Sequence, residues 1–192
     1  MQIYGSVKDK NGNPISGASI EVKEENFETI YQCESDVLGA YALDLPAGRY
    51  PFLMAVKDYA TKNLEYWCQN INLTQDLQLD LRFDTLEIYG LHAFRVKGAY
   101  PALMVYFRPM SLERYKRGEA DICPDIKEIR VSVDGVPVSV LKQSRVPEYV
   151  GEQDMTAFLI QVECPAGATA WERLDMEIWD EEGAFGMATL FA

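Results

Sequence analysis

Leu77-Gln78-Leu79-Asp80-Leu81-Arg82-Phe83 is the stretch on which the fold turns. Leu77, Leu79, Leu81 and Phe83 fall on one side, and Gln78, Asp80 and Arg82 on the other. A strict period of two marks a β-strand with one buried and one wetted face. The same period recurs upstream at Ile3, Gly5 and Val7, at Ala18, Ile20 and Val22, and at Tyr41, Leu43 and Leu45. Further strands are expected over residues 50–57 and 64–73. Asp9-Lys10-Asn11-Gly12-Asn13-Pro14 lies between two of these runs, with Asn11 and Gly12 supplying the positive φ a tight hairpin needs. Asp36-Val37-Leu38-Gly39 and Pro46-Ala47-Gly48 are the next turns. Seven short strands spaced by such turns within residues 1–83 predict an all-β sandwich.

A boundary is expected near Asp84, dividing the chain into domains 1–83 and 84–192. No Gly/Ser-rich or Pro-rich linker separates them, so a short, stiff joint is expected. Beyond it, Leu86 to Val96 is a long run, and the continuous apolar run Pro101 to Phe107 reads as a buried strand. Ser111 is placed to N-cap a short helix over 112–117, with Glu113 in its first turn, Lys116 and Arg117 in its last, and Gly118 after it. Strands resume at Ile126–Val133, and Asp134-Gly135 is a hairpin signal leading into Val136 to Leu141. Residues 142–155 are polar, contain Pro147 and Gly151, and read as a long loop. Ala157–Val162, the alternating Leu174, Met176 and Ile178, and Phe185 to Phe191 complete a second β-sandwich with one short helix.

The 192 residues carry 18 basic and 30 acidic side chains, for a net charge of −12. The deficit of Lys and Arg argues against nucleic acid or an anionic membrane as partner. No apolar run is long enough for a spanning helix, so no membrane insertion is expected. The N-terminus enters alternation at once, without a basic or apolar leader. A cytoplasmic protein is the expectation, or an exported or cell-surface one whose leader is missing from this sequence. Cys33, Cys68, Cys123 and Cys164 are widely spaced with no C-x-x-C, so scattered thiols are expected in place of a zinc site or a disulfide framework.

The first 83 residues resemble the carboxypeptidase regulatory-like family, a transthyretin-like (prealbumin-like) seven-stranded sandwich. The residues that carry the likeness are Gly5, Val7, Asp9, Gly12, Pro14, Ile15, Gly17, Ala18, Ile20 and Val22. It continues through Asp36, Gly39, Tyr41, Leu43, Leu45, Pro46, Ala47, Gly48 and Tyr50, with Tyr59 later. Gly12 closes a hairpin, while Gly17 and Ala18 are expected to let backbones approach closely. The resemblance implies a non-catalytic accessory domain and no peptidase activity. With His92 as the one histidine, a two-histidine zinc-peptidase site cannot be built.

Asp9, Asn11 and Asn13 have the alternate oxygens of a calcium loop, but no Glu follows at the twelfth position, so a hairpin is expected. His92 sits opposite Leu91 and Ala93 on a strand, and a half-exposed structural role is expected for it. Arg108, Arg114, Lys116 and Arg117 are interleaved with Glu113, Glu119, Asp121 and Asp125, which reads as a solvated surface of mixed charge. Aromatic residues are the most suggestive. Tyr66 and Trp67 are neighbours on a strand and must point to opposite faces, so at most one belongs to the core. Tyr66, Trp67, Tyr100 and Trp171 are the candidates for a surface or interdomain binding patch. The expectation is a non-catalytic binding or assembly module for a protein or carbohydrate ligand, with no cofactor and no metal. The alternatives are an enzyme using His92 and carboxylates at the domain junction, and a structural subunit of a larger surface assembly.

Overall fold

The computed structural model describes residues 1–98, 100–164 and 170–192. The first half forms β1 (Gln2–Lys8), β2 (Ser19–Lys23), β3 (Thr29–Glu34), β4 (Ala40–Asp44), β5 (Gly48–Val56), β6 (Tyr66–Leu73), β7 (Leu77–Gln78) and β8 (Leu81–Arg82). β1 pairs antiparallel with β4 on one side and parallel with β7 and then β8 on the other. The stretch 77–82 is thus one interrupted edge strand, and the sandwich has the seven lines expected. At the interruption, the Leu79 N–H donates to the Tyr4 carbonyl, and the Asp80 carboxylate accepts from the Ser6 N–H and hydroxyl. Leu79, Leu81 and Phe83 are buried to 1% exposure or less, each contributing roughly 1.5–3 kcal/mol of transfer free energy.

Local chemistry fixes the turns. The Asp9 carboxylate accepts the backbone N–H groups of Asn11 and Asn13 and the Asn13 side-chain amide, while Gly12 takes φ +85°. These oxygens organise a hairpin, as the sequence suggests. Gly17 has φ +68°, and a β-carbon there would meet only the flexible Lys57 Nζ at 3.7 Å, an ordinary contact, so it serves the turn and not the close backbone approach expected of it. Close approach falls instead at Gly5, where a β-carbon would lie 2.1 Å from the Leu79 carbonyl oxygen.

The second half forms β9 (Leu86–Phe94), β10 (Ala102–Ser111), α1 (Leu112–Lys116), β11 (Ile126–Val133), β12 (Val136–Val138), β13 (Val140–Val150), β14 (Gln153–Glu163), β15 (Arg173–Asp180) and β16 (Phe185–Phe191). The Ser111 hydroxyl accepts the Arg114 N–H, and Gly118 takes φ +70° just past the helix, as the capping pattern predicts. Residues 142–155 are not a loop. They form most of β13, a two-residue turn at Gly151-Glu152 and the start of β14, in an antiparallel hairpin. β13 is an edge strand whose half-buried positions include Ser144 and Glu148 beside Val146 and Val150, so its alternation is one of exposure and not of residue polarity.

The two halves also meet through more than a joint. β16 pairs parallel with β6, with Ala188 opposite Trp67, Thr189 opposite Cys68 and Leu190 opposite Gln69. The pairing fuses both sandwiches into one eight-stranded sheet, ordered β12-β11-β15-β16-β6-β5-β2-β3. The smaller sheet β4-β1-β7/β8 covers one face of its β6–β3 end, and the sheet β13-β14-β10-β9 covers the opposite face of its β12–β16 end. β16 reads this offset directly: Ala188 and Leu190 enter the second core, while Met187 and Phe191 pack against the first. The second four-stranded sheet stops at β9, and beyond that edge the same face of β6 and β5 carries half-buried Phe52, Trp67 and Gln69. No helix among the described residues is long and apolar enough to cross a membrane.

Candidate functional site

The step at β9 makes a cleft of about 160 Å³ lined by Phe27, Phe52, Trp67, Gln69, Tyr89 and Gly90. Phe52, Trp67 and Gln69 rise from the face of the shared sheet beyond β9. Tyr89 and Gly90 form the wall, where Gly90 takes φ +62° at a bulge in the β9–β10 ladder. The Gln69 amide donates to the Leu91 carbonyl at 3.0 Å and ties floor to wall. Phe27 closes the far side from the tip of the β2–β3 hairpin. Its ring stacks on Phe52 at 5.1 Å, and both rings meet Trp67 edge-on at 6.1 and 5.9 Å. Phe27 is 51% exposed and has φ +63°, a costly conformation for a bulky side chain. That φ closes the turn, in which the Phe27 N–H donates to the Glu24 carbonyl and the Glu24 N–H to the Glu28 carbonyl.

Behind the rings lies a polar layer. The Trp67 indole N–H donates to Glu87 Oε1 at 3.0 Å. Glu87 is 2% exposed, and its Oε2 has no partner. Burial, reinforced by the charge of Glu65, pushes the Glu87 carboxyl up to about 8, even though Trp67 and Arg108 favour its ionised form. Burial raises Glu65 as well, against its own hydrogen bond from Trp67. Arg108 lies over the Tyr89 ring at 4.6 Å and pairs with Glu148 at 3.0 Å. Burial and a hydrogen bond to Glu148 push the Tyr106 phenol up to about 12.

Of the residues singled out in the sequence, Trp67 alone lines this cleft. Tyr66 is fully buried on the other face of β6, where its hydroxyl donates to the Thr189 hydroxyl at 2.8 Å. It is a junction residue in the core and not part of a surface patch. Tyr100 is 62% exposed between β9 and β10, and Trp171 packs against the second core before β15; neither reaches the cleft. His92 is exposed beyond the Gly90 bulge, its ring 6.1 Å from Phe94, and it too lies outside the cleft. The basic cluster is neutralised locally: Arg108 by Glu148, Arg114 and Arg117 by Glu119, and Lys116 by Glu113. All four cysteines are free, and among the described residues no group of three or more His, Cys, Asp or Glu side chains is gathered to hold a metal.

Sequence reasoning missed Phe27, Phe52, Tyr89 and Glu87. Two signals were present. Phe27 is an isolated ring in the acidic turn Glu24-Glu25-Asn26-Phe27-Glu28, and Glu87 is a charge inside the apolar run Leu86-Glu87-Ile88.

Comparison with solved structures gives distant likenesses. The major pilin subunit BcpA of Bacillus cereus, as its D312A form, is 11% identical with a TM-score of 0.33, over 98% of this chain and 67% of that one. A DUF3823 family protein from Bacteroides ovatus ATCC 8483 is 9% identical with a TM-score of 0.33, over 99% and 98%. The full-length major pilin SpaD of Corynebacterium diphtheriae is 10% identical with a TM-score of 0.31, over 98% and 63%. No curated protein matches the chain. The carboxypeptidase regulatory-like domain family matches residues 2–84, in agreement with the seven-line sandwich and its Asp9, Gly12 and Asp36–Gly39 turns. Residues 2–84 of this chain are therefore a carboxypeptidase regulatory-like domain.

Proposed function

We propose that the chain is a non-catalytic binding module, with the aromatic cleft at the step between its two sandwiches as the ligand seat. In this reading, residues 1–83 and 84–192 are two domains that each supply one side of the seat. The observation that carries the reading is the set of exposed Phe27 and Tyr89 with half-buried Phe52 and Trp67, gathered from four strands and turns around one apolar opening. Rings left partly in water at a concave site favour a protein side chain or the face of a sugar ring as ligand. An enzyme built on His92 is less favoured, because that side chain is exposed and stands apart from Glu65 and Glu87 across the Gly90 bulge.

Glycan and peptide arrays probed with the full chain test the proposal. The expected result is a signal that is lost in Trp67→Ala and Phe27→Ala while both variants keep a cooperative melt. A ligand signal indifferent to both substitutions would place the seat elsewhere. Turnover in an unbiased hydrolase or transferase screen, abolished by His92→Ala, would overturn the non-catalytic reading.

A further inference from the structure

Behind the lining rings, a buried acceptor and a buried donor stand as neighbours without joining. Glu87 Oε2 and Arg108 Nε are both buried, and neither has a hydrogen-bond partner among the described residues. In the β9–β10 ladder Met110 lies opposite Glu87 and Arg108 opposite Tyr89, so Glu87 and Arg108 are diagonal neighbours on one sheet face. Diagonal side chains of this length are within reach of each other. The competitor is Glu148 on the edge strand β13, which pairs with the Arg108 guanidinium at 3.0 Å while staying in reach of water. Both groups also carry the cleft. Glu87 accepts the Trp67 indole N–H at 3.0 Å, and Arg108 lies over the Tyr89 ring at 4.6 Å. Trp67 is the floor of the opening and Tyr89 its wall. A buried oxygen and a buried N–H left open are each unfavourable, and joining them relieves both.

Resting on the reading of this cleft as the ligand seat, we propose that Glu87 and Arg108 form a proton-operated switch behind it. With its proton, Glu87 leaves Arg108 on Glu148 and Tyr89; on losing that proton to solvent, it draws Arg108 to itself. Glu148, on the edge strand, is then rewetted. Trp67 stays on Glu87 through a hydrogen bond that the new charge strengthens, whereas Tyr89 loses the cation that lies on its ring. The seat therefore has its wall clamped in the protonated form and released in the ionised form. A ligand gripped between Trp67 and Tyr89 favours the proton, so its affinity falls as pH rises. Burial and the charge of Glu65 hold the proton on Glu87 and bring its carboxyl to about 8, against the Trp67 indole, the Glu65 backbone N–H and the Arg108 charge. Tyr59, in the loop after β5, is the other titratable group facing it, with its phenol raised chiefly by burial. Glu148, hydrogen-bonded to Tyr106, acts through Arg108.

The test is an NMR titration of the full chain from about pH 6 to about pH 9.5. It follows the Trp67 indole N–H, the Tyr89 ring and the Arg108 Nε–H, assigned with Trp67→Phe, Tyr89→Phe and Arg108→Lys. All three resonances are expected to move with one midpoint near 8, the Arg108 Nε–H downfield as it gains its acceptor. The movements are expected to vanish in Glu87→Gln, whose fold is checked by its amide spectrum. Glu148→Gln, on the edge strand, removes the competitor for Arg108 and should lower the midpoint by about 0.5 or more on the pH scale. A flat Trp67 resonance, or one that still titrates in Glu87→Gln, would overturn the switch. So would a titrating Trp67 beside a Tyr89 ring and an Arg108 Nε–H that stay in place, or a midpoint indifferent to Glu148→Gln. The titration needs no ligand and the arrays need no titration, so the seat and the switch stand or fall separately.

Discussion

Thr189→Val probes the seam that fuses the two sandwiches. Thr189 is fully buried on β16, and its hydroxyl is the middle of a chain. It accepts the Tyr66 hydroxyl at 2.8 Å and donates to Asp175 Oδ1 at 2.7 Å, and Asp175 is in turn gripped by the Arg173 guanidinium at 2.8 and 3.0 Å. Valine matches threonine in shape, so the substitution removes the hydroxyl with little change in packing. It leaves the Tyr66 hydroxyl, on a fully buried side chain, without its acceptor, at a cost of about 1–3 kcal/mol. A loss of 2 kcal/mol corresponds to roughly 4–8 °C in Tm for a chain of this size. Tyr66→Phe removes the donor instead and costs about 1 kcal/mol, because Thr189 keeps Asp175. The double variant leaves no orphaned hydroxyl at this pair, so its loss should fall short of the summed single losses by about 1–2 kcal/mol. Urea titrations followed by tryptophan fluorescence and far-ultraviolet circular dichroism measure all four corners of the cycle. Because β16 contributes to both cores, the two probes should report one shared transition for the unsubstituted chain. Strictly additive losses would refute the hydroxyl chain as a coupled element. Two separated transitions would refute the shared sheet as the unit of cooperativity.

Other perturbations bear on the sandwiches and the cleft separately. Gly5→Ala drives a β-carbon into the Leu79 carbonyl, which is backbone and cannot rotate away, so a loss of at least about 1–3 kcal/mol is expected in thermal unfolding. Glu87 has its folded pKa raised from 4.5 to about 8, so the stability it leaves intact below pH 4.5 declines as pH rises toward 8. Tm measured from pH 5 to 9 should therefore fall less steeply in Glu87→Gln than in the unsubstituted chain, and parallel profiles would count against a buried, protonated carboxyl. Asp9 has the opposite sign: burial raises it, but the Asn13, Asn11 and Gly12 hydrogen bonds outweigh that and depress it below 3.8, so its contribution is present above about pH 4 and fades in stronger acid. Asp9→Asn should flatten the acid limb of the Tm profile. The Cys123 thiol, pushed up to about 12 chiefly by burial, should react with a disulfide reagent at pH 8 only on unfolding, whereas mass spectrometry should find the half-buried Cys33 and Cys164 modified before it.

The elements legible in the sequence are those whose cause is local. The alternation at 77–83, the Asp9 and Asp134 turns and the Ser111 cap each depend on residues within a few positions of one another, and each forms as expected. The hairpin of β13 and β14 was hidden because its half-buried positions mix Ser144 and Glu148 with valines, so polarity no longer reports which side faces the protein. The seam and the cleft were hidden for a different reason. Tyr66 and Trp67 are adjacent and one had to point away from the core, but which one does depends on β16, more than a hundred residues later, and on which face of the shared sheet the β9–β14 layer covers. Once β16 docks beside β6, Tyr66 is committed to Thr189, and Trp67 is left at the step with its N–H directed to Glu87. Phe27 and Phe52 meet within 5.1 Å because β2 pairs with β5, Lys23 opposite Phe52, and so sets the tip of the β2–β3 hairpin beside that ring. The site arises from the offset between two ordinary sandwiches, so a substitution that closes or widens that offset should change the cleft even where every residue lining it is retained.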